Sequence, residues 1–284
     1  MIVFKKAADL TTYLTTKKTE GEFIHFVPTM GALHQGHQSL VSLAKQASGI
    51  TVCSIFVNPT QFNDTKDFEK YPITIAEDIE ALDEVGCDVL FLPTVDEIYP
   101  KGAKQQATYD FGYLETVLEG AYRLGHFKGV GQVVARLLEI VAPDKMYLGQ
   151  KDYQQCMVLK KLLELIGKKE SIQIITAPTI READGLAMSS RNRRLSIPQR
   201  TLAGLLYQCL VSIQAKQHNG NFDIVKKECL DLLKSKNIEP EYIALAHADT
   251  LEILQEFDIT IPMVALIASK VGEVRLIDNL LLNP

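Results

Sequence analysis

The sequence contains no tryptophan and only five cysteines, which are widely spaced. They are Cys53, Cys87, Cys156, Cys209 and Cys229. No two of them form a C-x-x-C pair, and an odd number does not suit a closed disulfide framework. We therefore expect neither structural disulfides nor a structural zinc site. A reducing, cytoplasmic location fits this cysteine content best.

Long apolar runs and an excess of positive charge are also missing. No stretch approaches the roughly 18 uninterrupted apolar residues of a membrane span, and the N-terminal MIVFKKAADL has no apolar core of a secretion signal. The 30 Lys and Arg residues face 35 Asp and Glu, which gives a net charge of −5 and no general cationic surface for DNA or tRNA. We expect neither a membrane nor a nucleic acid as partner.

The composition that is present predicts a folded protein, with 46% hydrophobic and 23% charged residues over 284 positions. Apolar, β-branched runs predict strands at 23–27, 50–57, 88–92, 145–148 and 172–176. Helical spacing at 37–47, 75–85 and 132–141 alternates with them. We expect a Rossmann-like α/β domain over 1–179, with helices on both faces of a parallel sheet.

The texture of the sequence changes after Pro178. An arginine-rich loop is followed by helical stretches at 198–215 and 222–235, and by short apolar strands that end in 274–279. We expect a smaller C-terminal α+β domain over 180–284 that begins with this loop.

The first predicted strand runs directly into the segment PTMGALHQGH, Pro28 to His37. A strand, a glycine turn and a helix start place backbone N–H groups and a positive helix end at the carboxyl edge of a sheet, where phosphates bind. His34 and His37 are three residues apart and can share one helix face. Taken alone, such a pair also fits a metal site or an unremarkable surface. The loop has neither the G-K-[ST] nor the G-x-G-x-x-G pattern, so we predict a different kind of phosphate-binding turn.

Two further segments carry groups suited to phosphate. Gly149 to Asp152 again joins a strand to a helix, and Lys151 offers a mobile ammonium, although a lysine at a strand end is often only solvated. The segment 181–194 contains four arginines, a glycine and two adjacent serines. Such a loop is suited to covering a polyphosphate, or it is simply a solvated basic loop.

Uncharged side chains follow the second predicted strand and the segment that contains Lys151. Gln61 lies in the segment VNPTQF, and Gln155 follows the Lys151 motif. Amides donate and accept hydrogen bonds, which suits a ligand with hydroxyls and a carboxylate. Surface glutamines are common, so neither residue is decisive alone.

The H-x-G-H element resembles the HIGH signature of the adenylyl-transferring superfamily that includes class I aminoacyl-tRNA synthetases. The longer string PTMGALHQGH is similar to the pantothenate synthetase family, and the resemblance extends through EDIEALDEVGCDVLFLP and LEGAYRLGHFKGVGQVV to the C-terminal region. Leu124 stands where the family more often has proline, and Ile180 where it usually has valine beside the adenine. These two departures bear on loop rigidity and adenine packing, not on the reaction.

The resemblance implies an ATP-dependent ligation of (R)-pantoate and β-alanine. Its products would be pantothenate, AMP and diphosphate, formed through a pantoyl adenylate on the route to coenzyme A. It also implies Mg²⁺ with ATP as co-substrate, and a homodimer. No covalent enzyme intermediate is required.

The same resemblance assigns residues by matching positions. The catalytic residues would be His34, His37, Lys151, Ser189, Ser190 and Arg191. The ATP-binding residues would be Met30, Gly31, Ala32, Leu33, His34, Gln35, Gly36, His37, Gly149, Gln150, Lys151, Asp152, Ile180, Met188, Ser189, Ser190 and Arg191. Pantoate and β-alanine would contact Pro28, Met30, Asn58, Gln61 and Gln155. Asp78 matches a carboxylate near the metal.

Two other functions are compatible with an H-x-G-H protein. A nucleotidyltransferase would move AMP onto a phosphate and release a stable dinucleotide, and it would need a phosphate site where Gln61 and Gln155 stand. A nucleotide-sensing or tRNA-binding module would bind ATP without turnover. The absence of an anticodon-type domain and of a basic face disfavours the tRNA form.

Overall fold

The computed structural model describes residues 1–102, 107–218 and 220–282. The chain divides into two compact units. The N-terminal unit comprises Met1–Gly149 and Gln154–Pro178, and the C-terminal unit comprises Gln150–Tyr153 and Thr179–Pro284. The division after Pro178 lies beside the expected boundary. The grouping of Gln150–Tyr153 with the C-terminal residues has no counterpart in the sequence pattern.

The N-terminal unit is built on a six-stranded parallel sheet. Its strands are β1 (Ile2–Phe4), β2 (Ile24–Thr29), β3 (Ile50–Ile55), β4 (Val89–Phe91), β5 (Lys145–Gly149) and β6 (Gln173–Ala177). They lie in the order β1-β4-β3-β2-β5-β6, and every pairing is parallel.

Eight helices belong to the described part of this half of the chain. They are α1 (Ala7–Thr19), α2 (Gln35–Lys45), α3 (Thr65–Glu69), α4 (Ile75–Glu84), α5 (Val95–Ile98), α6 (Leu118–Tyr122), α7 (His126–Val141) and α8 (Tyr153–Leu165). Short 3₁₀ helices span Pro59–Gln61, Gly112–Glu115 and Gln150–Asp152.

Helices cover both faces of this sheet, as the sequence predicted. Successive residues of a strand point to opposite faces, and Phe26 and Val27 of β2 belong to different hydrophobic clusters. The Phe26 cluster includes α1, α7 and α8, whereas the Val27 cluster includes α2 and α4. The strands are therefore buried on both sides, which explains their nearly continuous apolar sequences.

The strand order creates a switch point in the middle of the sheet. From β2 the chain adds β3 and β4 on one side, and β5 and β6 later extend the other side. Open α/β sheets bind ligands outside the carboxyl ends of their strands at such a point. Thr29 pairs with Ile55, so β2 and β3 end level with each other. The segments that follow both strands therefore leave the sheet at the same edge.

The C-terminal unit is the expected α+β structure. It contains α9 (Ile197–Ala203), α10 (Leu205–Ala215), α11 (Phe222–Ser235), β7 (Ile238–His247), β8 (Ile253–Leu254), β9 (Met263–Val271) and β10 (Val274–Leu282). The strands form an antiparallel sheet in the order β10-β9-β7-β8. Its core joins Leu206, Leu210 and Val225 of the helices to Ile243 and Ile267 of the sheet.

Several elements differ from their predicted form. The segment 198–215 is two helices separated at Gly204. Helix α7 begins at His126 instead of 132, because burial of its apolar face outweighs the low helix propensity of its glycines. The sequence pattern missed α1, whose threonine-rich sequence has a weak apolar face. Thr12 and Thr16 there donate to carbonyls one turn back.

In the described part of the chain, no helix combines the length and apolar character that a bilayer crossing needs.

Gly129 lies where α7 packs against the 3₁₀ helix Pro59–Gln61. A Cβ atom at this position would overlap the Thr60 carbonyl oxygen, which is backbone and cannot move aside alone. A Cβ atom at Gly131, two residues further along the helix, would stand 2.6 Å from the tip of the Phe111 ring. Main-chain atoms thus fill the space beside Gly129, whereas a side chain fills the space beside Gly131.

We expect Gly129→Ala to lower the free energy of unfolding by about 1 to 3 kcal/mol, because overpacking against main chain forces α7 away from its neighbour. The sign is opposite to the usual effect of alanine in a helix, a gain of roughly 1 kcal/mol. Denaturant unfolding measures the difference. Gly131→Ala is the control and should lose less, since the Phe111 ring can turn. A Gly129→Ala variant as stable as the parent would contradict this packing.

Candidate active site

The turn after β2 is held in shape by a buried carboxylate. Asp78 of α4 is 1% exposed, and its two oxygens accept the backbone N–H groups of Ala32 (2.9 Å) and Leu33 (2.7 Å). Thr74 Oγ1 donates to the same carboxylate at 3.1 Å. Gly31 has φ +78°, and a Cβ atom there would lie 2.9 Å from an Asp78 oxygen. The close approach of Asp78 therefore requires glycine at this point.

Five backbone N–H groups of this turn have partners inside the protein, which differs from the free N–H groups that the sequence suggested. Besides the two N–H groups that Asp78 accepts, Gly31 N donates to Thr29 Oγ1 at 3.2 Å, and Gly36 N donates to His34 Nδ1 at 3.1 Å. His37 N donates to the His34 carbonyl at 2.8 Å. An anion here would meet mainly side-chain donors and the positive end of α2.

The two imidazoles come together at the start of α2. His34 is the N-cap residue, and the centres of the His34 and His37 rings are 4.0 Å apart. Since His34 Nδ1 accepts the Gly36 N–H, its Nε2 carries the proton of the neutral ring. Both rings can therefore address one ligand, as their spacing in the sequence suggested.

Asn58, at the end of the segment that follows β3, fixes the side chain of Gln61. Its Nδ2 group donates to Gln61 Oε1 (3.1 Å) and to the Gly129 carbonyl (3.2 Å). Gln61 Oε1 accepts this bond, so Gln61 Nε2 points away, to Met30 Sδ at 2.9 Å. Tyr99 OH donates to Asn58 Oδ1 at 2.8 Å. Both amide hydrogens of Asn58 are thus bonded within the protein, and one of them fixes Gln61.

His126 holds the main chain of Gln61. Its Nδ1 lies 2.7 Å from the Gln61 carbonyl, which can only accept, so Nδ1 is the donor. Arg123 Nη1 lies 3.0 Å from Nε2 of the same ring. These two residues belong to the LEGAYRLGHFKGV segment, to which the sequence reasoning gave no role. Nothing local in the sequence connects them to Gln61.

The two adjacent glutamines of α8 differ in their surroundings. Gln154 is 2% exposed; it accepts the Glu119 N–H at 2.9 Å and donates to the carbonyls of Leu114 and Val117. Gln155 is half-buried, and within the described residues its side chain has no hydrogen bond to the protein. Gln154 therefore fixes the segment before α7, whereas the amide of Gln155 has no such structural task among the described residues.

The C-terminal unit carries the other residues that were predicted to bind phosphate. Lys151 lies in the 3₁₀ helix after β5, and its Nζ is 3.6 Å from Asp152 Oδ1. The arginine-rich loop, residues 180–194, begins as a narrow turn in which Met188 N donates to the Ile180 carbonyl. It ends in a 3₁₀ helix, Ser190–Arg194, that the Ser189 hydroxyl caps.

Ion pairs anchor this loop at its start and at its tip. Arg181 binds both oxygens of Asp278, so it is not aimed at a ligand as the composition had suggested. Burial raises the pKa of Asp278, and the Arg181 hydrogen bond opposes that rise. At the tip, the hydrogen bond from Arg200 lowers the pKa of Asp184.

The predicted site residues thus fall into two groups. The N-terminal unit holds Pro28, Met30, Gly31, Ala32, Leu33, His34, Gln35, Gly36, His37, Asn58, Gln61, Asp78, Gly149 and Gln155. The C-terminal unit holds Gln150, Lys151, Asp152, Ile180, Met188, Ser189, Ser190 and Arg191. In residues 1–102, 107–218 and 220–282, no cluster of three or more His, Cys, Asp or Glu side chains could hold a metal ion.

Known proteins match this chain over nearly its full length. The model of the Pantoate-beta-alanine ligase family matches residues 2–281. The chain belongs to this family. The pantothenate synthetase of Cytophaga hutchinsonii is 43% identical over 285 residues, 99% of each chain. That of Pseudomonas fluorescens is 43% identical over 285 residues, 100% of this chain and 98% of the relative.

Solved structures of the pantoate-β-alanine ligase family have the same fold. The pantothenate synthetase of Thermus thermophilus superposes with a TM-score of 0.91 at 37% identity, with both chains fully covered. The pantoate-β-alanine ligase of Francisella tularensis, solved in complex with β-γ ATP and β-alanine, gives a TM-score of 0.82 at 34% identity and covers 99% and 97% of the two chains. The predicted family, fold and ligase function are confirmed, and the nucleotidyltransferase and sensor alternatives fall away.

We expect Asp78→Asn to lower the free energy of unfolding by about 1.5 to 3 kcal/mol, the usual loss for a buried hydrogen bond to a charged group. The amide NH₂ would face one of the two turn N–H groups, and that donor would lose its partner. Thermal or denaturant unfolding, with and without magnesium chloride, measures the effect.

The exposed neighbour Glu77 on the same helix supplies the matched control, Glu77→Gln, which should leave stability unchanged. A carboxylate that holds the turn gives the same loss whether or not Mg²⁺ is present. A loss that appears only in the presence of Mg²⁺ would make Asp78 a metal ligand instead.

Proposed function

We propose that this ligase joins pantoate to β-alanine in two steps on one ATP molecule. The pantoate carboxylate attacks the α-phosphorus, which gives pantoyl adenylate and diphosphate. The neutral amine of β-alanine then attacks the acyl carbon, and AMP leaves. Membership of the family along residues 2–281 carries this proposal, together with a preformed turn that presents two imidazoles at a helix N-terminus.

The chemical difficulty of the first step is the approach of an anion to a polyanion. We assign His34 and His37 to neutralise charge on the phosphates, with support from the positive end of α2. Lys151 and the loop residues Ser189, Ser190 and Arg191 supply further donors from the C-terminal unit. These groups act by alignment and charge, so no enzyme nucleophile is needed.

We assign pantoate and β-alanine to polar and apolar groups at the ends of β2 and β3, together with Gln155 of α8. Gln61 is fixed by Asn58 at its oxygen, and its Nε2 group keeps one hydrogen for a substrate oxygen. Met30 and Pro28 provide apolar contact, and the amide of Gln155 is available to a hydroxyl or carboxylate. A fixed amide recognises a substrate at low entropic cost.

The remaining ATP contacts follow the same family assignment. They are Met30, Gly31, Ala32, Leu33, Gln35, Gly36, Gly149, Gln150, Asp152, Ile180 and Met188. Mg²⁺ would arrive with ATP, held by phosphates and water, since no protein cage for it exists among the described side chains. The family resemblance also supports functional domains at 1–179 and 180–284, a homodimer and a cytoplasmic location.

The direct test is the formation of AMP by the purified protein supplied with ATP, pantoate and β-alanine. We expect AMP and pantothenate in equal amounts, and AMP that depends on both acids. With pantoate alone, labelled diphosphate should exchange into ATP, because the adenylate forms without the amine. Failure of AMP formation to depend on either acid would refute the proposal.

We expect His37→Ala and Lys151→Ala each to slow adenylation by about 10²- to 10³-fold, the usual loss when one donor to a developing charge is removed. The assay is pantoate-dependent exchange of labelled diphosphate, at equal folded concentration of each variant. The mutants should unfold like the parent, since neither substitution opens a cavity in the core.

Exposed residues of the same types provide controls for these two substitutions. His218→Ala and Lys168→Ala remove an imidazole and an ammonium from the exposed surface and should leave exchange unchanged. If either His37→Ala or Lys151→Ala retains the parental exchange rate, the role assigned to that residue is wrong.

A further inference from the structure

Asn279, a buried residue of β10, clamps the main chain at Lys151. It is 1% exposed, and its Nδ2 group donates to the carbonyls of Gln150 (3.0 Å) and Lys151 (2.9 Å). Gln150 Nε2 donates in return to Asn279 Oδ1 at 3.2 Å. Three hydrogen bonds thus fix two consecutive residues, although 128 positions separate Lys151 from Asn279. Both hydrogens of the Asn279 amide are donated to this segment, and neither is donated to the strands beside it.

The preceding residue of the same strand anchors the arginine-rich loop. Asp278 is 4% exposed and accepts two hydrogen bonds from Arg181, at 2.6 and 3.1 Å. Arg181 also donates to the carbonyls of Gly185 (3.0 Å) and Asn279 (3.1 Å), and its guanidinium lies 4.1 Å from the centre of the Tyr207 ring. Four hydrogen bonds and one ring contact thereby fix the guanidinium, at the start of the loop that ends in the proposed ATP contacts.

Burial of such polar groups lowers stability unless every hydrogen-bond partner is in place. Two apolar residues at the end of this strand would avoid that cost. In β10, Asn279 binds the segment of Lys151 and Asp278 binds the arginine-rich loop. These two segments are distant in sequence, and both are proposed to bind ATP. A carboxamide with two donors suits two successive carbonyls, and a carboxylate suits the planar fork of arginine. The residue types match the task of holding main chain in place.

We propose that Asp278 and Asn279 are positioning residues for ATP. Asn279 sets the backbone from which the Lys151 ammonium extends, and Asp278 acts through Arg181 on the loop that carries Met188 to Arg191. This inference rests on the ATP roles proposed above for Lys151 and the loop. Neither Asp278 nor Asn279 needs to touch the nucleotide.

The test is diphosphate exchange by Asn279→Ala, read as the KM for ATP and the KM for pantoate separately. Loss of the clamp leaves the Lys151 backbone free to shift, and we expect the KM for ATP to rise about ten-fold, the effect of losing roughly one to two net hydrogen bonds. The KM for pantoate should stay near the parental value. A purely structural role would lower stability without separating these two constants.

A double-mutant cycle shows whether Asn279 acts through Lys151. In the Lys151→Ala background, Asn279→Ala should cause little further loss of exchange, because the group that it positions is already gone. Independent effects would multiply instead, and that result would overturn the inference.

Asn221→Ala is the matched control, an asparagine of the same unit whose side chain accepts the Ile224 N–H at the start of α11. It should lower the melting temperature and leave the KM for ATP unchanged. If Asn279→Ala does not fold, Asn279→Ser and Arg181→Lys serve in its place. Arg181→Lys keeps the charge but loses the two-pronged bond to Asp278, and it should raise the KM for ATP in the same way.

The controls separate failure of this inference from failure of the site assignment. If the parent forms pantothenate but Lys151→Ala keeps full exchange, the role of Lys151 is wrong, and the inference falls with it. If Lys151→Ala impairs exchange while folded Asn279 and Arg181 variants keep the parental KM for ATP, the positioning role alone is refuted.

Discussion

The geometry of the candidate site residues in the N-terminal unit depends on one buried charge, the carboxylate of Asp78. Two backbone N–H groups of the turn, those of Ala32 and Leu33, donate hydrogen bonds to its two oxygens. The carboxylate stabilises a conformation that includes left-handed backbone at Gly31 and Ala32. This conformation sets where α2 begins, and the start of α2 sets where the two imidazoles lie. A buried anion is tolerated here because main-chain donors compensate it.

This use of backbone donors changes what the turn offers to a phosphate. In a P-loop the main-chain N–H groups themselves cradle the anion. Here five of them are engaged by Asp78, Thr29 and His34, and in the proposed function the imidazoles supply the donors. The two imidazoles of the H-x-G-H pattern therefore lie beside a turn in which these five N–H groups are already hydrogen-bonded.

The sequence predicts those features that depend on neighbouring residues. Strand and helix alternation, the turn between β2 and α2, and the histidine spacing all follow from local patterns. The Asp78 bonds to the turn span 45 and 46 positions, and the Asn279 clamp spans 128 and 129. Such pairs have no period and no spacing rule, so a sequence pattern cannot reveal them. The family resemblance singled out Asp78 but could not give its contacts.

The two compact units follow the same design. In each, a buried polar side chain from a distant element binds the main chain of a segment that carries proposed catalytic groups. Asp78 does this for the turn before His34, and Asn279 does it for Lys151. Anchoring through the backbone fixes the origin of a catalytic side chain without using its functional atoms. The proposed reaction must align two anions without an enzyme nucleophile, and side chains with a fixed origin favour such alignment.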